Sequence, residues 1–233
     1  MTKSAAAAEL TSSVEDYLKT VYQLTESGQA ASTTGIAEAL AIAAPSVSAM
    51  VKRLVEAGLV AHIPYKGVTL TGDGRRAALR MLRRHRIIET YLVSTLGYTW
   101  DNVHDEAERL EHAVSEDLVE RLSRALGHPR VDPHGDPIPA ADGEMIDVAT
   151  TPLPDVEVGA VVTIHRVGTG SAERLRWLAA EGLVPGARLE VLEHQPFNGP
   201  VTIAINGQRR VIGRDVARHL LCVVAVPTVA GRH

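Results

Sequence analysis

Residues 44–71, APSVSAMVKRLVEAGLVAHIPYKGVTLT, carry the pattern that decides the fold of the N-terminal part of the chain. Pro45 suits the first turn of a helix, the apolar residues after it recur at helical spacing, and Gly58 suits the helix end. Two short β-prone runs then flank a Tyr65-Lys66-Gly67 turn. The stretch therefore predicts a helix followed by a β-hairpin.

Upstream of this stretch, residues 14–27 and 34–40 show the periodicity of one longer and one short amphipathic helix. Helix, short helix, turn, helix and hairpin in this order are typical of a winged helix-turn-helix. Small hydroxyl residues near the start of the third helix, with basic residues further along, suit entry into the major groove of DNA. The residues predicted to contact DNA are Thr34, Pro45, Ser46, Ser48, Lys52, Arg53, Tyr65 and Lys66. The alternative is an ordinary three-helix module that binds protein.

An acidic run further along the chain, VHDEAERLEHAV at residues 103–114, predicts a metal site. His104, Glu108, Glu111 and His112 share one face of a helix, and no Lys or Arg lies three or four positions from either glutamate. A bound divalent cation would relieve the repulsion of the two carboxylates, and imidazole beside carboxylate is a common ligand set. The alternative is a solvated acidic face without a metal.

The remaining chain predicts two long helices, at about 74–97 and 101–127, followed by an irregular linker or strap at 128–155 that is rich in Pro, Gly and Asp. Beyond it, five short runs of period two predict a small β-barrel. The fold class is therefore mainly α with a C-terminal all-β module. We expect a DNA-binding domain at 1–73, a helical dimerisation and metal-binding domain at 74–148, and an SH3-like barrel at 149–233.

Charge is distributed unevenly along the 233 residues, although the net charge is only −4. Residues 52–90 carry nine Lys and Arg against three acidic residues, whereas residues 101–147 carry four Arg against thirteen. This order suggests an anion-binding surface followed by a cation-binding one. A single cysteine, Cys222, excludes an internal disulfide and a multi-cysteine zinc site. The chain has no long apolar run or signal sequence, so we expect a soluble cytoplasmic protein that does not contact membranes.

Six stretches together resemble the diphtheria toxin repressor family of metal-dependent transcriptional regulators, in the three-domain form of its manganese-responsive branch. They are EDYLKTVYQL (15–24), PSVSAMVKRL (45–54), GLV…GVTLT (58–71), RRHRIIET (83–90), VHDEAERLEH (103–112) and DPHGDPIP (132–139). The resemblance implies a homodimer that binds a divalent metal as corepressor and then binds a palindromic operator in double-stranded DNA. It also implies a repressor of genes for metal uptake and homeostasis.

The resemblance also implies a ligand set. The primary site would use Asp16, Glu108, Glu111 and His112, and the ancillary site His85, Glu89 and His104, with Glu173 from the third domain as a substitute ligand. Iron-responsive members carry methionine and cysteine where this chain has Asp16 and Glu108. Carboxylates in place of sulfur favour Mn²⁺, with Fe²⁺, Co²⁺ or Zn²⁺ as further ions that could bind in vitro, and two ions are expected per protomer.

One departure from the family pattern, one alternative role for a ligand and several rival functions remain open at this point. Short manganese regulators place a glutamate where this chain has Lys19, which argues against their binuclear arrangement. Asp16 could instead form a helix-capping box with Ser13. The rival functions are an iron-responsive regulator, a metallohydrolase and a metal-independent DNA-binding protein. Since the sequence shows no nucleophile motif, we expect no catalytic residue, no enzymatic activity and no organic cofactor.

Overall fold

The structure, a computed structural model, describes residues 10–26, 28–146, 148–168 and 171–224. The chain divides into two compact units, and each is described by itself. The first unit holds the described residues up to His85, together with Glu111–Val114 and Pro139–Glu144. The second unit holds Arg86–Leu110, Ser115–Ile138 and the described residues from Met145 onward.

The first unit begins with three helices, α1 (Ser12–Thr25), α2 (Thr33–Ala39) and α3 (Ala44–Glu56). The axes of α2 and α3 are bent by 111° at the short break between them, which is the angle range of a helix-turn-helix. The first helix contacts α2 and forms the core with Leu18 and Val21, both fully buried. Its N-cap is Thr11, so Ser13 lies inside the helix and does not form the capping box considered for Asp16.

A β-hairpin completes the winged helix-turn-helix. Strands β1 (Val60–Ile63) and β2 (Gly67–Leu70) pair antiparallel, and β1 contacts α3 while β2 contacts α1. The turn between the strands carries Tyr65 at φ 62°, and Gly67 follows at φ 124°. A Cβ on Gly67 would lie 2.0 Å from the carbonyl oxygen of Ala31, so only glycine allows the hairpin to approach the segment before α2.

Helix α4 (Gly72–Leu96) begins in the first unit and continues into the second. It is followed by α5 (Val103–Glu111) and α6 (Glu116–Ala125), so the prediction of one helix over 101–127 is wrong. The break has a local cause. Ser115 caps α6 by accepting a hydrogen bond from the backbone N–H of Leu118, and acidic residues occupy the first turn of that helix.

Residues 130–138 of the Pro-rich segment that follows form an ordered strap in the second unit. The buried carboxylate of Asp132 accepts hydrogen bonds from the backbone N–H groups of His134 (2.8 Å) and Asp136 (3.0 Å). Arg86 of α4 donates to the carbonyl oxygen of Pro137 at 2.5 Å. Because its own turns satisfy its backbone groups, this segment can bring side chains to a buried position.

The rest of the second unit is an antiparallel sheet of six strands in the order β3-β8-β4-β5-β6-β7. The strands are β3 (Thr151–Pro152), β4 (Val161–Val167), β5 (Arg188–His194), β6 (Val201–Ile205), β7 (Gln208–Ile212) and β8 (Leu220–Val224). Helix α7 (Ala172–Ala180) contributes Leu175 and Leu178 to the same apolar core, and α8 (Arg214–Ala217) precedes the last strand.

The five predicted strands are therefore present, and the two-residue strand β3 joins them. Residues 225 and 226, the predicted end of the last strand, lie outside the described residues. Cys222 is buried in the sheet core, and burial raises the pKa of its thiol to about 12, as expected of a structural thiol. Within the described ranges no single helix is long and apolar enough to cross a membrane, although α2 and α3 together, as a bent pair, reach that length and apolarity.

Candidate metal centre

Three predicted ligands of the primary site meet in the first unit. Asp16 lies in the second turn of α1, Glu111 is the last residue of α5, and His112 follows it directly. One donor atom from each of the three residues lies within 4.8 Å of the others. We call this set the Asp16 triad. It brings together residues that are about 95 positions apart in the sequence.

Glu111 is held by two basic side chains. Its Oε1 lies 2.6 Å from Nζ of Lys19, and its Oε2 lies 2.5 Å from Nδ1 of His85, while the residue has no exposed surface. Burial alone would raise the pKa of the Glu111 carboxyl, but the contacts with His85 and Lys19 outweigh it and lower the pKa. The carboxylate is therefore ionised and fixed in place.

His112 lies between two neighbouring carboxylates of α1. Its Nδ1 is 2.9 Å from Oε2 of Glu15, and its Nε2 is 2.9 Å from Oδ1 of Asp16 and 3.7 Å from Oε1 of Glu111. Burial alone would lower the pKa of the imidazole, but the hydrogen bond to Glu15 and the charges of Asp16, Glu111 and Glu15 raise it. Protons therefore compete with a metal ion for this ring.

The donor set of the Asp16 triad fits a hard divalent cation, since two carboxylates and one imidazole are ligands that Mn²⁺ accepts. Glu108, the fourth predicted primary ligand, belongs to the second unit, where its Oε1 is 3.6 Å from Nε2 of His104. Its place beside the triad stays a prediction. The same holds for His85, which contacts Glu111 in the first unit, as an ancillary ligand.

In the second unit, Glu89 of α4 and His104 of α5, two of the residues predicted for the ancillary site, lie close together. Oε1 of Glu89 lies 3.3 Å from Nδ1 of His104. Glu89 is buried, whereas the side chain of His104 is 54% exposed. Glu173, the substitute ligand from the third domain, is exposed in the first turn of α7, and its role stays a prediction.

A second possible metal site in the second unit was missed by the sequence analysis. Glu89, Asp132 and His134, all buried, place one donor atom each within 4.8 Å of the others. The Nδ1 atom of His134 lies 3.9 Å from both Oε2 of Glu89 and Oδ1 of Asp132. We call this set the Glu89 cluster. Its signal in the sequence was the run DPHGDPIP, in which Asp132 and His134 lie two positions apart on either side of Pro133.

In the Glu89 cluster, the surroundings of Asp132 disfavour its negative charge. Burial raises the pKa of the Asp132 carboxyl to about 7, and the nearby carboxylates of Asp136 and Glu89 contribute to that shift. The Nε2 of His134 lies 2.7 Å from the carbonyl oxygen of Trp100, whereas its buried Nδ1 makes no hydrogen bond within the part of the chain that the structure describes. A buried imidazole nitrogen directed at two carboxylates is the arrangement that a cation would complete.

The predicted DNA-contacting residues are all exposed in the first unit. Pro45, Ser46, Ser48, Lys52 and Arg53 are exposed along α3, and Thr34 is exposed on α2. Tyr65 and Lys66 are exposed at the turn of the hairpin. Between α3 and the hairpin lies a cavity of about 470 Å³, which Ser48 and Lys52 help to line. Seven of the eight residues thus lie on the helix and wing that winged-helix proteins use, and Thr34 lies on the preceding helix α2.

Comparison with known proteins identifies the family. Residues 9–68 match the family described as iron dependent repressor, N-terminal DNA binding domain, and residues 71–140 match its metal binding and dimerisation domain. The iron-dependent repressor IdeR of Mycobacterium tuberculosis is 34% identical over 219 residues, which are 87% of this chain and 93% of that protein. The chain belongs to the diphtheria toxin repressor family of metal-dependent transcriptional repressors. The diphtheria toxin repressor of Corynebacterium diphtheriae is 32% identical over 222 residues, 90% of this chain and 96% of that repressor.

Solved structures of similar repressors include manganese-responsive ones. A manganese-dependent transcriptional repressor in complex with manganese is 42% identical, with a TM-score of 0.86, over 91% of this chain and 99% of that one. The manganese regulator SloR is 37% identical, with a TM-score of 0.75, over 91% and 98%. Residues 151–224 match the FeoA domain, in agreement with the predicted all-β module. The family and fold class expected from the sequence are therefore confirmed.

Proposed function

We propose that this member of the diphtheria toxin repressor family is a Mn²⁺-activated repressor that binds a palindromic operator as a homodimer and controls genes of metal uptake and homeostasis. The observation that carries the metal assignment is the Asp16 triad, whose donors are carboxylate and imidazole with no sulfur among them. The similarity to manganese-dependent repressors supports the same choice over an iron-responsive regulator. As a DNA-binding repressor, the protein would act in the cytoplasm.

The Asp16 triad lies beside the DNA-reading helix, which suggests how metal binding affects DNA binding. Asp16 lines a cavity of about 500 Å³ together with Ser46, Met50 and Arg53 of α3. When bound, Mn²⁺ would supply a divalent charge that both Asp16 and the segment at Glu111 and His112 can share. These residues would then tie the end of α5 to α1, which contacts α2 and β2 of the winged helix, and so favour a DNA-competent arrangement.

A second ion per protomer would be held by the Glu89 cluster. Glu89 offers its two oxygens to different imidazoles, since Oε1 faces His104 and Oε2 faces His134. Asp132 adds a third donor that is already oriented by the backbone of the strap. In this proposal Glu89 and His104 keep the roles expected for the ancillary site, and Asp132 and His134 join them. The triad, which is less buried, would respond to the metal supply.

The DNA interface would use cations for phosphates and hydroxyls near base edges. Lys52, Arg53 and Lys66 would contact phosphates, while Ser46 and Ser48 lie nearer the N-terminus of α3, which enters the groove. Lys52→Ala should weaken binding on all sequences alike and lower the slope of log affinity against log salt by about one. Arg188→Ala, at an exposed position of β5, is the matched control and should leave the slope unchanged.

The homodimer and the division into domains are parts of the same proposal. The match of residues 71–140 to a dimerisation domain supports the helical segment 74–148 as the dimer interface, with segments 1–73 and 149–233 as the DNA-binding and barrel domains. Exposed apolar side chains are available there, such as Leu96 of α4 (58% exposed) and Leu118 of α6 (42%). Sedimentation of wild type and Leu118→Glu tests this, because the variant should shift toward monomer.

The function is tested by fluorescence anisotropy on an operator selected from a random duplex library with the Mn²⁺-loaded protein. Titrations are run with Mn²⁺, Fe²⁺, Co²⁺, Zn²⁺ and a chelator under anaerobic conditions. We expect binding with Mn²⁺ at a lower free concentration than with Fe²⁺, and weak binding with chelator. Equal operator affinity in chelator would contradict metal activation, and a preference for Fe²⁺ would favour the iron-responsive regulator.

A further inference from the structure

The imidazole of His112 lies between two carboxylates from consecutive residues of one helix. Glu15 and Asp16 project about 100° apart around α1, so their side chains reach opposite edges of the same ring. Oε2 of Glu15 is 2.9 Å from Nδ1, and Oδ1 of Asp16 is 2.9 Å from Nε2. Asp16 belongs to the triad, whereas Glu15 lies outside it.

The two nitrogens of His112 therefore have different surroundings. Nε2 faces the triad, since it lies 2.9 Å from Asp16 and 3.7 Å from Oε1 of Glu111. A neutral imidazole carries one N–H and one lone pair, and a metal ligand must offer the lone pair. If Nε2 is the ligand atom, Nδ1 must carry the proton and needs an acceptor. Glu15 is the carboxylate at hydrogen-bond distance from Nδ1.

Glu15 is itself held in place. Its Oε1 lies 3.6 Å from Nη1 of Arg84, and the side chains of Glu15 and Arg84 are only 15% and 13% exposed. The same Nη1 donates a hydrogen bond of 3.0 Å to the carbonyl oxygen of Glu111. Arg84 on α4 thus connects Glu15 to the end of α5, which His112 follows directly. Such outer partners of metal-binding histidines fix the ring orientation and the tautomer.

We propose that Glu15 is a positioning residue of the primary metal site, which accepts the Nδ1 proton of His112 so that Nε2 is presented to the ion together with Asp16 and Glu111, while Arg84 holds Glu15 in this position. The proposal rests on the function proposed above. It assigns a role to a residue that is not a metal ligand. It also explains why two carboxylates stand side by side on α1.

The first test is Mn²⁺ affinity, measured by calorimetry on the full-length protein. Loss of an outer partner typically weakens metal binding about 10- to 100-fold, so Glu15→Ala should fall in this range. Glu15→Gln keeps an oxygen acceptor and should lose less, although its neutral amide interacts more weakly with Arg84. Glu38→Ala and Glu38→Gln on α2, where the residue is exposed, are the matched controls and should stay within twofold of wild type.

The second test distinguishes a positioning role from a structural one. Nitrogen NMR of the imidazoles in Zn²⁺-loaded protein reports which nitrogen of His112 carries the proton, and His112→Gln assigns the signal. We expect protonated Nδ1 and metal-bound Nε2 in wild type and Glu15→Gln, and a mixture of tautomers in Glu15→Ala. Urea unfolding without metal checks that each variant is folded. If Glu15→Ala is not folded, the spectra of Glu15→Gln and of the wild type still decide whether Glu15 has the positioning role.

The outcomes separate this proposal from the proposed function. Metal bound at Nδ1 with a protonated Nε2, or Mn²⁺ affinity of Glu15→Ala within twofold of wild type, would overturn the role of Glu15 and leave Mn²⁺ activation intact. Wild-type protein that binds no Mn²⁺ would instead overturn the proposed function. A 10-fold or larger loss in Glu15→Ala, with partial rescue by Glu15→Gln and the expected tautomer, supports the positioning role.

Discussion

The two candidate metal sites differ in how closely basic side chains of the protein contact their carboxylates. In the Asp16 triad the buried carboxylate contacts a protein cation, since Glu111 lies 2.6 Å from Lys19, and the neighbouring Glu15 lies 3.6 Å from Arg84. In the Glu89 cluster Arg86 lies near Asp132, and its Nε is 3.7 Å from Oδ2 of that carboxylate.

The consequence appears in the pKa values. The contacts of Glu111 lower its pKa, whereas burial and nearby carboxylates raise that of Asp132 to about 7. Protein cations therefore offset the negative charge of the triad before any ion binds. Its ligands stay in place without metal, so metal binding would be able to act as a switch. At the Glu89 cluster, Arg86 does not outweigh burial and the nearby carboxylates at Asp132, so an ion there would mainly stabilise the fold.

The largest expected effect comes from removing the protein cation of the triad. Lys19→Met should lower the free energy of unfolding without metal by about 3 kcal/mol, because breaking the buried ion pair leaves Oε1 of Glu111 buried without its cation, while His85 still contacts Oε2. Mn²⁺ should recover most of this loss. Urea unfolding with and without Mn²⁺ measures both quantities. Arg121→Met, which removes an exposed pair with Asp117 on α6, is the control and should hardly change the urea midpoint.

Replacement of one histidine in each site separates their roles. His112→Gln should abolish the metal-dependent gain in operator affinity, which we expect to be about 100-fold, or roughly 2.7 kcal/mol. His134→Gln should keep most of this gain and lose part of the thermal stabilisation by Mn²⁺. His128→Gln, at an exposed position beyond α6, is the control. If His134→Gln abolishes operator binding and His112→Gln does not, the assignment of switch and structural site is reversed.

The fold was predictable where the sequence pattern is local. The candidate sites were predictable only where their ligands lie close together in the sequence. The helix-turn-helix and the period-two strands follow from spacing and turn residues, and the α5–α6 break was missed because the cap Ser115 interrupts an otherwise continuous apolar stripe. Glu111 and His112 were predicted from their own helix. Their partners Lys19 and Glu15 were missed as contacts, because α1 is about 95 residues away.

The Glu89 cluster was missed for a different physical reason. Asp132 and His134 lie in a strap without helical or strand periodicity, where composition predicts a linker as readily as a buried turn. The backbone hydrogen bonds to Asp132 and the hydrogen bond from Arg86 to Pro137 show that the strap is fixed. The sequence contained the residues, and their burial beside α4 could not be derived from it.

Metal preference should depend on the hardness of the primary ligands. Asp16→Met combined with Glu108→Cys would introduce thioether and thiolate, which favour the later ions of the series. The ratio of Fe²⁺ or Co²⁺ affinity to Mn²⁺ affinity should rise by about tenfold or more. Anaerobic operator titrations against each metal measure this ratio, with Glu108→Ala as the variant that only loses a ligand. An unchanged preference for Mn²⁺ would mean that these two positions do not set selectivity.

The smallest expected effect is the pH dependence of the triad. The pKa of His112 is raised above its ordinary value, so the protonated ring stabilises the metal-free fold at low pH and loses this contribution as the pH rises through the raised pKa. Mn²⁺ needs the neutral ring. Its affinity should therefore increase with pH through this range, by at most about tenfold per unit for one proton, and then level off. Calorimetry in buffers of different ionisation enthalpy should detect the released proton, and a flat affinity from about pH 5.5 to 8 would contradict the competition.

The central claim, that Mn²⁺ at the triad and operator DNA favour the same arrangement, is tested most directly by thermodynamic linkage. Mn²⁺ affinity is measured with and without saturating operator, and operator affinity with and without Mn²⁺, in one buffer. The account predicts that both ratios are equal, at about 100-fold, and that both collapse toward one in His112→Gln. Mn²⁺ affinity that does not change when operator is added, or operator affinity that does not change in chelator, would contradict it.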